Sequence, residues 1–238
     1  MQKRKRTPLE IYNERASQPD FCRLEDTAEY FAEILIVFED PDFYNHNAIS
    51  IPYILGSFWE AIKGAELKGN STIDQQLVKN LYFSFERSWI RKIKEALISF
   101  SFDRQLTKKQ TLELYFNIIY YDNGQYGITN AARFYFNKAP SELTINQIVF
   151  LANTLPIAGI YNPFFHPDDF VRFRNQRIRS VKQYLDKVSG DIIPEAMRHG
   201  PGCPDEQLCS ATEEMRKYDK PGPLINERFG PGMPESLI

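Results

Sequence analysis

A chain of 238 residues has room for one large domain, or for one domain with an appendage. An apolar share of 42% and a charged share of 25% are those of an ordinary globular protein, and a formal net charge of −2 provides no basic field for bulk nucleic-acid binding. Cys22, Cys203 and Cys209 are odd in number and lack metal-type spacing, and His46, His166 and His199 are far apart, which speaks against a zinc site.

The chain begins with Lys3, Arg4, Lys5 and Arg6, but the residues behind them are polar, so no export signal is expected there. Residues 1–25 show no periodicity and are expected to lie as an arm over the surface. Asp26 with Glu29 has the spacing of a capping box, and apolar residues then recur at Ala28, Phe31, Ile34, Leu35 and Phe38, one side of a helix. Asp40-Pro41 ends it, because the residue before a proline is pushed out of helical geometry. Glu39 then sits at the negative end of the helix, where the dipole works against ionisation. A carboxylate so placed suits a proton acceptor, and it also reads as a solvated terminal acid.

From Ala48 to Lys68 large apolar groups accumulate (Tyr53, Leu55, Phe58 and Trp59 among them), a pattern that fits either core or a lipid interface. Thr72 with Gln75 is a second capping box, and Thr72, Gln75, Gln76 and Lys79 share one face of the helix it opens. Such neutral donors beside one cation suit phosphate or sugar oxygens, as they suit a solvated face. The next helix, roughly 87–104, carries Trp89, Ile90, Ile93, Leu97 and Phe100 as its expected buried side. Arg87, Arg91 and Glu95 lie along one line of it, with arginine before glutamate, the weaker order for a surface ion-pair ladder.

Thr107 with Gln110 caps a further helix, and a glycine-containing turn follows at residues 122–127. Ala131 to Phe136 continue as packed helix. Thr144 with Gln147 caps another, which Pro156 breaks, and a last long helix is expected over 168–188. The apolar-leaning stretch from Ile148 to Phe165 is interrupted by Asn153, Pro156 and Asn162 and cannot span a membrane. Seven of the fifteen prolines and six of the twelve glycines fall in residues 189–238, so that segment is expected to be an extended tail. No period-two strand pattern appears, and the expected architecture is mostly α.

Four ordered motifs carry a resemblance: Glu39-Asp40-x-x-Phe43-x-x-His46, Gly69-x-Ser71-Thr72-Ile73-x-Gln75-Gln76-x-x-Lys79-Asn80, Arg91-Lys92-x-x-Glu95-Ala96 and Lys108-x-x-x-Leu112-Glu113-x-Tyr115-x-Asn117. With Gly124-x-Tyr126-Gly127 and the region around Pro156 to Pro163, they make residues 26–188 resemble the peptidoglycan glycosyltransferase family, the transglycosylases found alone or in bifunctional penicillin-binding proteins. The resemblance implies a lysozyme-like, α-helical, two-lobed domain of the monofunctional type. It implies an enzyme that polymerises lipid II onto a growing glycan strand, with inversion at the donor anomeric carbon and release of undecaprenyl diphosphate. Glu39 matches the general base and Glu95 the second essential acid, which would act at the diphosphate either by holding a divalent cation, Mg2+ or Mn2+, or by orienting the cationic side chains. Lys79 and Arg87 match positions that contact the diphosphate, with Arg91 expected to assist, and Asp40, Phe43, His46, Ser71, Thr72, Gln76 and Asn80 would shape the site.

The resemblance also implies a membrane surface met through residues 48–68, cell-wall synthesis proteins as partners, and a place at the periplasmic face of the bacterial inner membrane. Four departures from the family pattern stand out: Ala48 for glycine, Asn70 for a second glycine, Asp74 for threonine or serine, and Thr111 for an apolar residue. The first and third leave room for a non-catalytic lipid II-binding or scaffold relative. A glycan-cleaving enzyme on the same fold is a third expectation.

Overall fold

The computed structural model describes residues 6–50, 71–83, 89–155 and 172. Among them the chain is helical without a β-strand: α1 (Pro8–Ala16), α2 (Phe31–Glu39), α3 (Ile73–Tyr82), α4 (Trp89–Gln105), α5 (Lys108–Ile118), α6 (Ile128–Phe136) and α7 (Ile145–Thr154). Short 3-10 turns lie at Leu24–Asp26 and Pro140–Glu142. The mostly α expectation holds. All but residue 172 of the long helix expected over 168–188, the tail 189–238 and most of the 48–68 segment fall outside the described residues, as does Arg87.

The three threonine boxes behave as their spacing predicts. Thr72, Thr107 and Thr144 each accept a hydrogen bond from the N3 backbone amide, and the Oε1 atoms of Gln75, Gln110 and Gln147 each accept one from the cap amide. The box expected at Asp26 does not form. Tyr30 takes a left-handed φ of 64°, and α2 begins at Phe31. A residue in that conformation cannot belong to the helix, so the apolar periodicity outruns the element that carries it.

Two compact units divide the chain. The first contains the described residues up to Glu25 and those within 39–119. Its N-terminal part is not an arm: α1 opens on a capping box of Thr7 and Glu10 and packs on α4 and α5. The signal was masked because its buried face includes a charge. Arg15, 4% exposed, pairs with Asp20 at 2.7 Å and donates to the carbonyl of Asn117 at 3.2 Å. Buried Glu113 accepts from the Tyr12 hydroxyl at 2.5 Å and from the Leu24 amide at 3.0 Å, and burial beside this carboxylate pushes the Tyr12 phenol up to about 12. Asn117 brackets Cys22, accepting from its amide at 2.8 Å and donating to its carbonyl at 2.7 Å. The segment 7–25 is thereby sewn to α5.

α3 packs against the two helices that follow it, α4 and α5, and buries Ile73, Leu77, Val78 and Leu81. α4 corrects the sequence reading. Ile90, Ile93, Leu97 and Phe100, expected inside, are 68%, 60%, 66% and 40% exposed, whereas Glu95, Ser99 and Phe102 are buried. Hydrophobic periodicity reports that a helix has two faces; here the inward one must carry a carboxylate with its cations, so the apolar stripe turns out.

The second unit contains residues 26–38 and the described residues from Tyr120 onward. The turn after α5 places Asp122, Asn123 and Gly124 at φ of 67°, 50° and 79° in succession, which short polar residues and glycine tolerate. Buried Tyr135 of α6 closes it, donating to the carbonyl of Tyr121 and accepting from Asn123 Nδ2, both at 2.8 Å. Tyr135 and Phe136 pack edge-on against Phe150 of α7.

Candidate functional site

The site grows from the end of α2. Pro41 stops the helix at Glu39, and the chain turns so that the amide of Phe43 donates to the carbonyl of Asp40 at 2.9 Å. Asp40 is wholly buried. Its Oδ2 accepts from the amide of Ile73, the first residue of α3, at 2.9 Å, and its Oδ1 lies 2.8 Å from His46 Nε2. Burial pushes the Asp40 carboxyl up from its ordinary value, and these two partners pull it part of the way back. His46 Nδ1 faces the carbonyl of Asn47 on the other side of the ring.

Four residues expected at the substrate have structural work. Thr72 is buried; its hydroxyl donates to the carbonyl of Ala48 at 2.8 Å and accepts the Gln75 amide at 3.2 Å. Phe43 is fully buried beneath the Lys108 ammonium, whose Nζ is 4.5 Å from the ring centroid. Asp40, itself held by His46, fixes the turn after Glu39 to the start of α3. These side chains shape the site from behind.

Glu39 and Gln76 meet in front of them. Gln76 Nε2 donates to Glu39 Oε2 at 3.3 Å and to the carbonyl of Ser71 at 3.2 Å. Gln76 Oε1 accepts from the Tyr115 hydroxyl at 2.9 Å. Asn80 Nδ2 donates to the backbone carbonyl of Gln76 at 2.8 Å, one turn on.

A cluster of charge lies beside this pair. Glu95, 1% exposed, has Arg91 Nε at 2.9 Å from Oε1 and Lys92 Nζ at 3.3 Å from Oε2. Lys92 Nζ also donates to Ser71 Oγ at 2.5 Å, which ties α4 to the start of α3. The Arg91 contact is an ion pair without hydrogen-bond alignment: Glu95 Oε1 accepts no hydrogen bond. The Lys79 ammonium makes no hydrogen bond or ion pair among the described residues. Burial pushes it down from its usual 10.5, against the pull of Glu95 and Glu39 and with the push of Lys92 and Arg91. A half-buried cation kept among two acids and two cations, with no ligand of its own among the described residues, is arranged for an anion to arrive.

The structure thus gathers Glu39, Ser71, Gln76, Lys79, Asn80, Arg91 and Glu95 in one unit. It adds Lys92 and Tyr115, which sequence reasoning quoted only as motif letters. Lys92 stands three residues before Glu95, a spacing that reaches it on a helix; nothing local in the sequence joins Tyr115 to Gln76.

Two departures have structural answers. Ala48 is buried without a left-handed φ, so its backbone asks for no glycine. Asp74 lies well around α3 from Gln76 and Lys79 and pairs with Lys108 at 3.4 Å. Its negative charge is spent on Lys108 and not on the Lys79 side of the helix.

The family model described as transglycosylase matches residues 5–183. Penicillin-binding protein 1A of Aquifex aeolicus (strain VF5) is 34% identical over 176 residues, 74% of this chain and 24% of that protein. Penicillin-binding protein 1F of Bacillus subtilis (strain 168) is 35% identical over 137 residues, covering 57% of this chain and 19% of the relative. Penicillin-binding protein 1A of Neisseria flavescens is 35% identical over 159 residues, 66% of this chain and 20% of the relative. The chain therefore spans a quarter or less of these relatives' lengths.

Proposed function

The chain belongs to the transglycosylase family, and from that premise we propose that it is a peptidoglycan glycosyltransferase that polymerises lipid II. The observation that carries the reading is the union of Glu39, hydrogen-bonded by Gln76, with a half-buried Lys79 whose ammonium has no hydrogen-bond or ion-pair partner among the described residues. An acceptor hydroxyl attacks the donor's anomeric carbon as the bond to the diphosphate breaks, with inversion. Glu39 takes the hydroxyl proton, and Gln76 keeps the carboxylate oriented for it. Lys79 with Arg91 and Lys92 stabilises the negative charge growing on the leaving diphosphate. Arg87 joins them by its place in the family pattern.

Glu95 aligns Arg91 and Lys92 for this. Its buried Oε1, which accepts no hydrogen bond, also gives it a lone pair for a divalent cation. No group of three acidic, histidine or cysteine side chains gathers there among the described residues. Mg2+ or Mn2+ would be held by Glu95 together with phosphate oxygens of the substrate, and it would supply further neutralisation of the leaving group.

Among the described residues no helix is long and apolar enough to cross a membrane. Access to a lipid-linked donor at the periplasmic face of the inner membrane is assigned to the 48–68 segment, with cell-wall synthesis proteins as partners. Ala48 and Asp74, which favoured a non-catalytic relative, do not disturb the residues named above, and this supports the enzymatic reading.

The test is polymerisation of lipid II in detergent or liposomes with a divalent cation present. The wild-type chain is expected to yield glycan polymer and Glu39→Gln none. A wild-type chain that binds lipid II and makes no polymer would leave the scaffold reading in its place.

A further inference from the structure

We propose that Tyr115 is a positioning residue for the reaction, acting through the Gln76 amide on Glu39. The inference rests on the assignment of Glu39 as base.

A glutamine amide has two ends of similar shape and opposite hydrogen-bonding sense. Around Gln76 the choice is forced. Nε2 faces two acceptors, the Glu39 carboxylate at 3.3 Å and the Ser71 carbonyl at 3.2 Å, so both N–H bonds are used. Rotated by half a turn, Oε1 would face those same two oxygens. The remaining end, Oε1, needs a donor, and the Tyr115 hydroxyl supplies it at 2.9 Å.

Tyr115 itself is held. Its ring is 1% exposed on α5, a helix buried from Thr111 through Ile118 and packed on α3. The phenol is thus a fixed post, and Gln76 a rotatable arm set between the post and the base. The 3.3 Å contact to Glu39 is long for a hydrogen bond, so it depends on the amide plane being kept from turning. Removing the hydroxyl leaves Oε1 without its donor and lets the plane turn. The carboxylate then loses an aligned N–H, although neither Glu39 nor any group beside the diphosphate has been changed.

The experiment is a double-mutant cycle on lipid II polymerisation with the full chain, using Tyr115→Phe, Gln76→Ala and the pair. Loss of one aligned hydrogen bond to a charged group should lower kcat about tenfold in Tyr115→Phe, with KM changed less than about twofold. Gln76→Ala should lose more, and the double variant should be no worse than Gln76→Ala. If the two losses multiply, or Tyr115→Phe is unimpaired, the relay is wrong. A purely packing role for Tyr115 would show as an additive loss that follows the melting temperature.

Should Tyr115→Phe not fold, a ring-fluorinated tyrosine at 115 keeps ring and hydroxyl but ionises at lower pH. Its kcat should fall as that hydroxyl ionises and stops donating, and the fall should vanish in the Gln76→Ala background; an unmoved pH profile overturns the proposal. If Glu39→Gln keeps its activity, the base assignment and this inference fall together. If Glu39→Gln is inactive while Tyr115→Phe is normal, this inference alone falls.

Discussion

Asp40 accepts the backbone amide of Ile73 at 2.9 Å, so the carboxylate after the α2 terminus caps the first turn of α3. One hydrogen bond fixes the residue next to Glu39 to the helix that carries Gln76 and Lys79. The His46 contact at 2.8 Å holds the other oxygen of the same carboxylate. Asp40→Ala should therefore lower stability by about 2–4 kcal/mol, the sum of a lost cap and a lost contact to the half-buried His46 ring. Polymerisation should fall with it. Asp40→Asn, which can still accept the Ile73 amide, should lose less of both. Urea unfolding of the two variants, read alongside their activities, checks this.

Asp74 gives a pH prediction. Burial holds its carboxyl up at about 6, against an ordinary value of 3.8, even with Lys108 beside it, and its Oδ1 has no hydrogen-bond partner. Between those two values the unfolded chain has released a proton that the folded chain retains, so stability falls as pH rises from about 4 to about 6. Above that window the cost is fully present. Asp74→Asn should flatten this part of the stability curve and raise stability at pH 7.5 by about 1–2 kcal/mol. Melting temperatures across pH 4 to 8 decide it; a curve of the same slope in the variant would show that another group is responsible.

Lys79 should trade stability for function. Burial lowers it from 10.5, which means the folded protein holds that proton less willingly than the unfolded chain does. The charged form therefore costs stability at neutral pH, and the cost shrinks as pH rises toward 10.5. Lys79→Met should gain about 0.5–2 kcal/mol at pH 7 while losing polymerisation by about 100-fold or more. The gain should diminish in alkaline buffer. A variant that is both less stable and inactive would mean that Lys79 holds the fold and that its effect on activity is indirect.

Much of the local structure could be read along the chain. Threonine followed three residues later by glutamine opened helices at Thr72, Thr107 and Thr144, because the side chains concerned can reach only their own helix terminus. Pro41 ended α2 at Glu39 for an equally local reason, the clash of its ring with the preceding residue. Where the deciding contact was distant, the reading failed. Residues 7–25 looked like an arm because their partners, Glu113 and Asn117, are about ninety to a hundred positions away. The α4 stripe was turned the wrong way because periodicity has no sign.

The candidate site divides along the same line. The sequence by itself determined which side chains are present and which helices bear them: Glu39 at a helix end, Gln76 and Lys79 one turn apart, and Glu95 behind Arg91. Tertiary structure alone decided which of them act together. It set Thr72 and Phe43 into the core, turned Asp74 toward Lys108, and brought Tyr115 against Gln76, 39 positions earlier in the chain. Helix geometry is fixed by neighbours within four residues, so motif spacing records it; the direction a helix face takes and the partner an amide finds depend on packing between helices, which no spacing encodes.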